Sequence, residues 1–219
     1  MPAARIVLVR HGEARAGVER VIGGDHGCLG LTDRGRGEAA ALRDRLAATG
    51  EIAPDVIYTS TLRRAVETAE IVHEAFPHVE SIRPARDLRE QDPGVCDGMH
   101  YLDAVAQYAP EVDGPDAPLS PGGESAREFD RRVRAAMDRL VREHPAQTLL
   151  VVSHGGFISA ACMYVLAAPG LAAVYPFRLA PANTSLTTVV PGASRPPWLM
   201  ERYNDTAHLG PRQPVTRRS

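Results

Sequence analysis

Lysine is absent from this 219-residue chain, and all 25 basic residues are arginine. The absence reads as codon usage, but it has one chemical consequence. Any grip on an anion has to be built from arginine, histidine and backbone N–H groups. Aromatic residues are scarce, at 5%, so a core has to be packed mostly from Ala, Val, Leu and Ile. Neither sign of charge is in surplus: the net charge is −2, which argues against a general nucleic-acid or membrane-surface binder. Cysteine is limited to Cys28, Cys96 and Cys162, too few and too scattered for a disulfide framework or a metal site. Such a set fits buried thiols in a reducing cytoplasm. No apolar run is long enough to span a bilayer, and no apolar leader precedes the first expected strand.

Hydrophobic residues make up 44% of the chain, enough for a sizeable core, and the length fits one large domain more easily than two. Short apolar runs at 5–9, 55–59 and 148–152 read as buried strands, with a weaker one at 79–83 and late strands at 185–190 and 198–203. Helical spacing places helices at 34–48, 62–75, 101–108 and from Ser125 to just before Pro145, with an apolar helix from His154 to about 167. Thr32 or Asp33 can cap the first of these, and Ser125 with Glu128 forms a capping box. Strands alternating with helices predict an α/β fold with a largely parallel, covered central sheet. The tail from 210 to 219 is rich in Pro and Arg and is expected to be disordered.

Ligands of such sheets bind beyond the carboxyl ends of strands, where Arg10-His11-Gly12 and His154 both fall. A neutral imidazole is a good nucleophile, arginine offers a fork to phosphate oxygens, and glycine lets the backbone approach a ligand. Alone, an R-H-G triplet is as well read as a strand end facing solvent. Arg63-Arg64 opens a helix, where a guanidinium and free N–H groups can face one anion. Adjacent helical positions point about 100° apart, so one arginine reaches the site, and the apolar pattern leaves open which. Glu90, in a loop, can protonate a leaving oxygen; alone, it reads as a solvated carboxylate. His154, between a buried strand and Gly155-Gly156, can donate to the oxygens of a pentacoordinate transition state. Asn183 is expected to line the pocket, and His208 to be structural. His26, His73, His78, His100 and His144 read as surface residues. No G-x-G-x-x-G follows the first strand, which argues against a dinucleotide-binding domain.

Taken together, R-H-G at 10–12, S-x-L-x-R-A-x-E-T-A at 60–69 and H-G at 154–155 resemble the histidine phosphatase superfamily, the phosphoglycerate mutase-like family. Further matches are Leu31-Thr32 with Gly35, Pro121-Gly122-Gly123-Glu124-Ser125, Asn183-Thr184-Ser185 and the segment from Asn204 to Leu209. The resemblance implies a three-layer αβα sandwich over residues 1–209, with a lid insertion at about 90–124. Its register selects Arg64 over Arg63. It implies His11 as nucleophile, with Arg10, Arg64 and His154 on the transferring oxygens and Glu90 as general acid and base. Gly155 and Asn183 would contact substrate, with no metal or cofactor. One branch of the family carries its proton donor directly after the second histidine. Gly155-Gly156 stands there instead, and Glu90 matches the branch with a mid-chain glutamate.

The chain departs from the family pattern at Ala14, Gly17, Cys96 and Asp97, where a hydroxyl residue, Asn, Trp and Glu are usual. Residues 90 to 126 hold no Arg or Lys but eight acids, among them Asp92, Asp97, Asp116 and Glu124. An acidic lid would repel a carboxylate or a second phosphate, so a small phosphomonoester with a neutral or cationic remainder is the expected substrate. A phosphoglycerate mutase and a non-catalytic phosphoester-binding module are the alternatives.

Overall fold

The computed structural model describes residues 4–108, 114–166, 179–192 and 198–210. The tail expected to be disordered lies outside these residues from 211 onward. In chain order the elements are β1 (Arg5–Arg10), α1 (Arg15–Val18), α2 (Asp33–Thr49), β2 (Val56–Ser60), α3 (Arg63–His73), β3 (Ile82–Ala85), α4 (Tyr101–Tyr108), α5 (Ala126–Glu143), β4 (Thr148–Ser153), α6 (Gly155–Val165), β5 (Leu186–Pro191) and β6 (Trp198–Asp205). The six strands form one sheet in the order β3-β2-β4-β1-β5-β6. Neighbours from β3 through β1 pair in parallel, and β5 runs against both β1 and β6.

Successive residues of a strand face opposite sides, and here both sides are covered. Ile6 and Leu8 of β1, with Leu149 and Val151 of β4, pack against Val133, Met137 and Leu140 of α5 and Phe157 and Cys162 of α6. Val7, Val9, Leu150 and Val152 pack instead against Leu42 and Leu46 of α2 and Ala69 and Val72 of α3. This is the expected three-layer sandwich. Among the described residues no helix is long and apolar enough to cross a membrane.

Local signals fix several ends. Thr32 Oγ1 accepts the Gly35 N–H at 3.0 Å, and Gly50 closes α2 in the left-handed region at φ 58°. Both halves of the capping box are made: Ser125 Oγ accepts the Glu128 N–H, and the Glu128 carboxylate accepts the Ser125 N–H at 2.8 Å. Two expectations need correction. The strand placed at 79–83 runs from Ile82 to Ala85, because the Phe76 and Val79 N–H groups close turns onto His73 and Phe76. Pro84 is tolerated there because β3 is an edge strand. His144 is not at the surface: it is buried, with Nε2 2.9 Å from the Tyr58 hydroxyl and Nδ1 2.8 Å from Gln147 Oε1.

Candidate active site

β4 lies between β1 and β2, and its register pairs Arg10 with Ser153. The residues that follow this pair, His11 and His154, therefore leave the sheet side by side. Their ring centroids are 5.2 Å apart at an interplanar angle of 60°. The main chain at His11 is held from both flanks. Its N–H donates to Ser153 O at 3.0 Å, while the Asn183 amide donates to His11 O at 3.0 Å and the Thr184 N–H to Arg10 O at 2.9 Å. Thr184 is held at φ 53°, a left-handed conformation uncommon for a β-branched residue.

The His11 ring is 6% exposed, and its two nitrogens have unequal partners. Nδ1 lies 2.7 Å from the Gly12 carbonyl oxygen, which can only accept. Nε2 lies 3.1 Å from Nε of Arg64, which can only donate. The proton is thus on Nδ1, and the single lone pair of Nε2 takes the Arg64 Nε–H in the free protein. Burial holds the imidazole well below its ordinary pKa, and the Arg64 and Arg10 guanidiniums push in the same direction. The His11 imidazole is thus oriented and disfavoured in its charged form, the state in which a histidine can act as a nucleophile being the neutral one.

Arg64 is buried and Arg63 is not: the Arg63 side chain is 65% exposed and pairs with Glu67. Arg64 Nη1 donates to Gly23 O at 2.8 Å and to Cys28 Sγ at 3.3 Å, which turns the fork toward His11. Arg10 Nη1 donates to Pro181 O at 2.7 Å, leaving its buried Nε without a partner among the described residues. His154 is fully buried, and its Nε2 is 2.7 Å from Ser60 Oγ. That hydroxyl already accepts the Leu62 N–H, and His154 Nε2 is the acceptor left for its own proton. Nδ1 of His154 then carries a proton and has no partner among the described residues. A buried donor left unpaired costs about 1–3 kcal/mol. A phosphoryl group next to His11 would supply oxygens to both orphans, and two arginines would balance its charge. Burial, followed by Arg64, His11 and Arg10, holds His154 well below its ordinary pKa, which favours the neutral ring.

Glu90 shares a hollow of about 430 Å³ with Arg10, His11, Arg64 and Asn183. Its Oε2 accepts the Gly156 N–H at 2.8 Å and its Oε1 the Gln91 N–H at 3.2 Å. The two glycines after His154 are space kept for these side chains. A Cβ on Gly155 would lie 3.3 Å from Arg10 Nε, and one on Gly156 would lie 2.2 Å from Glu90 Oε1. Arg10 and Glu90 also line a second hollow of about 480 Å³ between α5 and α6, with Phe129, Ser159, Met163 and Gly155. The five residues expected to carry chemistry thus converge, and Gly155 and Asn183 lie at the edges of the two hollows.

Sequence reasoning missed the supporting residues. Ser60 sets the His154 tautomer. Thr68 accepts the Gly12 N–H at 3.1 Å and donates to Arg64 O at 2.7 Å. Cys28 underlies Arg64. The acidic stretch is also less bare than its composition suggests. Asp97 accepts the N–H groups of Gly24, His26 and Gly27, each at 2.8 Å, while Glu124 pairs with Arg132 and Asp116 with Arg127. The Asp97 position, one of the departures, is a clip for the loop that holds Arg64.

Comparisons with known proteins agree with this geometry. The family model for the histidine phosphatase superfamily (branch 1) matches residues 6–206. Phosphoglycerate mutase-like protein 4 of Arabidopsis thaliana is 32% identical over 212 residues, covering 94% of this chain and 87% of its own. A 2,3-bisphosphoglycerate-dependent phosphoglycerate mutase of Brucella canis is 34% identical over 72% of this chain and 79% of its own. Among solved structures, a mycobacterial glucosyl-3-phosphoglycerate phosphatase superposes with a TM-score of 0.74 at 26% identity, covering 92% of this chain and 99% of its own. A histidine set among arginines at the carboxyl edge of a phosphoglycerate mutase-like sheet, with the family match spanning nearly the whole chain, identifies the protein as a member of the histidine phosphatase superfamily.

Proposed function

We propose that this protein is a phosphatase that hydrolyses a small phosphomonoester through a phosphohistidine on His11. The carrying observation is the lone pair of His11 Nε2, presented by a fixed tautomer among donors that lack acceptors. Nε2 attacks phosphorus in line, the P–O bond to the alcohol breaks, and the departing oxygen takes a proton from Glu90. Arg64 Nε, which meets Nε2 in the free protein, passes to a phosphoryl oxygen, joined by Arg10 and His154. Glu90, now a carboxylate, takes a proton from water as the water attacks the phosphohistidine. Phosphate leaves and His11 is restored. No step calls on a metal ion or a cofactor.

The phosphoryl group occupies the hollow that His11 lines, and the alcohol extends past Glu90 toward the 90–124 segment, a lid insertion within the single domain of residues 1–209. The remainder of the substrate is neutral or cationic. Supporting this, the only cations among the described residues lining either hollow are Arg10 and Arg64, both needed at the transferring group. A phosphoglycerate mutase, the reading favoured by the Brucella relative, needs further cations for a carboxylate and a second phosphate. Three free, buried thiols suit a reducing cytoplasm.

The test is hydrolysis of a phosphomonoester panel by wild type and His11→Ala, with mass spectrometry for phosphohistidine. Turnover that disappears in the variant, with label on His11 in the wild type, is the expected result. Bisphosphates or phosphoglycerates as the best substrates would support the mutase reading instead. Binding without any turnover, p-nitrophenyl phosphate included, would support a non-catalytic module.

A further inference from the structure

Glu90 stands in a loop, and a carboxylate that must meet a leaving oxygen within hydrogen-bond reach needs a fixed backbone. Ser153 Oγ donates to Leu88 O at 2.7 Å and Arg139 holds the Asp87 carboxylate in a fork, while a third side chain reaches the carbonyl of Glu90 itself. Arg132, on α5, donates through Nη1 to Asp87 O at 3.0 Å and Arg89 O at 2.9 Å, and through Nη2 to Glu90 O at 3.1 Å. The other edge of the same guanidinium holds Glu124 in a fork, Nε to Oε1 at 2.8 Å and Nη2 to Oε2 at 2.6 Å. Glu124 returns to the loop: its Oε2 accepts the Asp92 N–H at 3.0 Å, and its main-chain oxygen accepts the Gln91 amide at 3.0 Å. The guanidinium also stacks on the Phe129 ring, 5.0 Å from its centroid. The capping box at Ser125 and Glu128 fixes the helix start from which Arg132 projects.

We propose that Arg132, locked to Glu124, is a positioning residue for Glu90: it ties the carbonyls of residues 87, 89 and 90 to α5 and so aims the proton donor at the leaving oxygen. The inference rests on the reading of Glu90 as that donor. Lysine cannot replace Arg132, because a single ammonium cannot reach three carbonyls and both oxygens of a carboxylate at once. The Arg132 side chain is 22% exposed and that of Glu124 21%, so uncharged substitutions leave no fully buried orphan charge.

The readout is kcat/KM for a series of monoesters running from nitrophenyl phosphate, whose leaving group needs no proton, to alkyl phosphates, whose leaving group does. In a phosphohistidine mechanism kcat/KM covers only the steps through transfer to His11, so the later hydrolysis does not enter. Arg132→Gln and Glu124→Gln are expected to lose about 100-fold on alkyl phosphates and several-fold less on nitrophenyl phosphate, as a misplaced general acid would. Arg132→Lys recovers part of the loss. Glu90→Gln gives the steepest dependence on leaving group. Glu124→Gln, the milder change, carries the test if Arg132→Gln does not fold. A parallel loss across the whole series, or no loss, in the Arg132 and Glu124 variants beside a steepened Glu90→Gln would overturn the positioning role alone. An unchanged dependence in Glu90→Gln would overturn the donor assignment and this inference with it.

Discussion

From one guanidinium, Arg64 reaches three acceptors: His11 Nε2 at 3.1 Å, Gly23 O at 2.8 Å and Cys28 Sγ at 3.3 Å. Such a reach requires a planar fork with fixed angles between its donors. Arg64→Lys keeps the charge but can satisfy only part of this set, so the cation loses its aim at the transferring oxygens. The expected result is a 100- to 1000-fold fall in kcat/KM, roughly that of removing one transition-state donor, in a variant that still folds. A fall of less than tenfold would show that Arg64 does not touch the transferring group. The choice between Arg63 and Arg64 also shows what the sequence carries. Both lie in the first turn of α3 and neither is apolar, so hydrophobic spacing is silent, and only the register of the surrounding motif separates them. Ser60, Thr68, Cys28 and Arg132 stayed hidden for another reason. Each acts by hydrogen-bonding a residue far away in the chain, and a Ser, Thr, Cys or Arg in such a place looks ordinary until the fold closes.

The turn after β1 and the first turn of α2 touch through their backbones. A Cβ on Gly12 would stand 2.4 Å from Gly35 O, and one on Gly35 would stand 2.1 Å from Glu13 O. This contact sets how closely α2 approaches the turn that carries His11. Two glycines of one helix therefore predict opposite signs. Gly37 has open space around its missing side chain, so Gly37→Ala should stabilise by about 0.5–1 kcal/mol through helix propensity. Gly35→Ala should destabilise by about 1–3 kcal/mol, because only a backbone shift relieves the clash. Chemical denaturation of the two variants measures both, and equal effects would show that the close approach does not matter. Elements with strong periodicity or clear caps, such as α2, α5, β1 and β4, were legible in the sequence because local propensity and tertiary burial agree there. The four-residue α1 was not, since a glycine-rich stretch gives no periodicity to read. β3 was misplaced by a few residues, because Val79 is buried as a turn residue and burial alone does not make a strand.

At the scale of the whole molecule, the burial that disfavours the His11 imidazolium also ties stability to pH. His11 and His154 are held well below their ordinary pKa by burial first, then by the neighbouring arginines, and His208 is pushed down to about 4 by burial, then by Arg45. In the unfolded chain all three titrate near 6.5, so as pH falls below that value the unfolded state takes up protons that the folded state refuses. Their contribution to stability is complete above about pH 6.5 and is lost as pH falls toward the folded values. Each such histidine steepens the loss by up to about 1.4 kcal/mol per pH unit. The carboxylates held low by arginines or N–H groups, Asp205 at about 2 among them, lose their contribution only at lower pH, near and below their ordinary values around 4. The window from pH 6.5 to 5 therefore isolates the histidines. Urea unfolding across it should show a falling free energy, and His208→Asn should reduce the slope by up to one proton whatever it does to the absolute value. Because burial and the same arginines disfavour the His11 imidazolium, kcat/KM should fall less steeply below pH 6.5 than titration of an ordinary imidazole would make it. A stability curve that is flat between pH 7 and pH 5 would mean that these rings take up protons in the folded state, and the neutral-nucleophile account of His11 would fall with it.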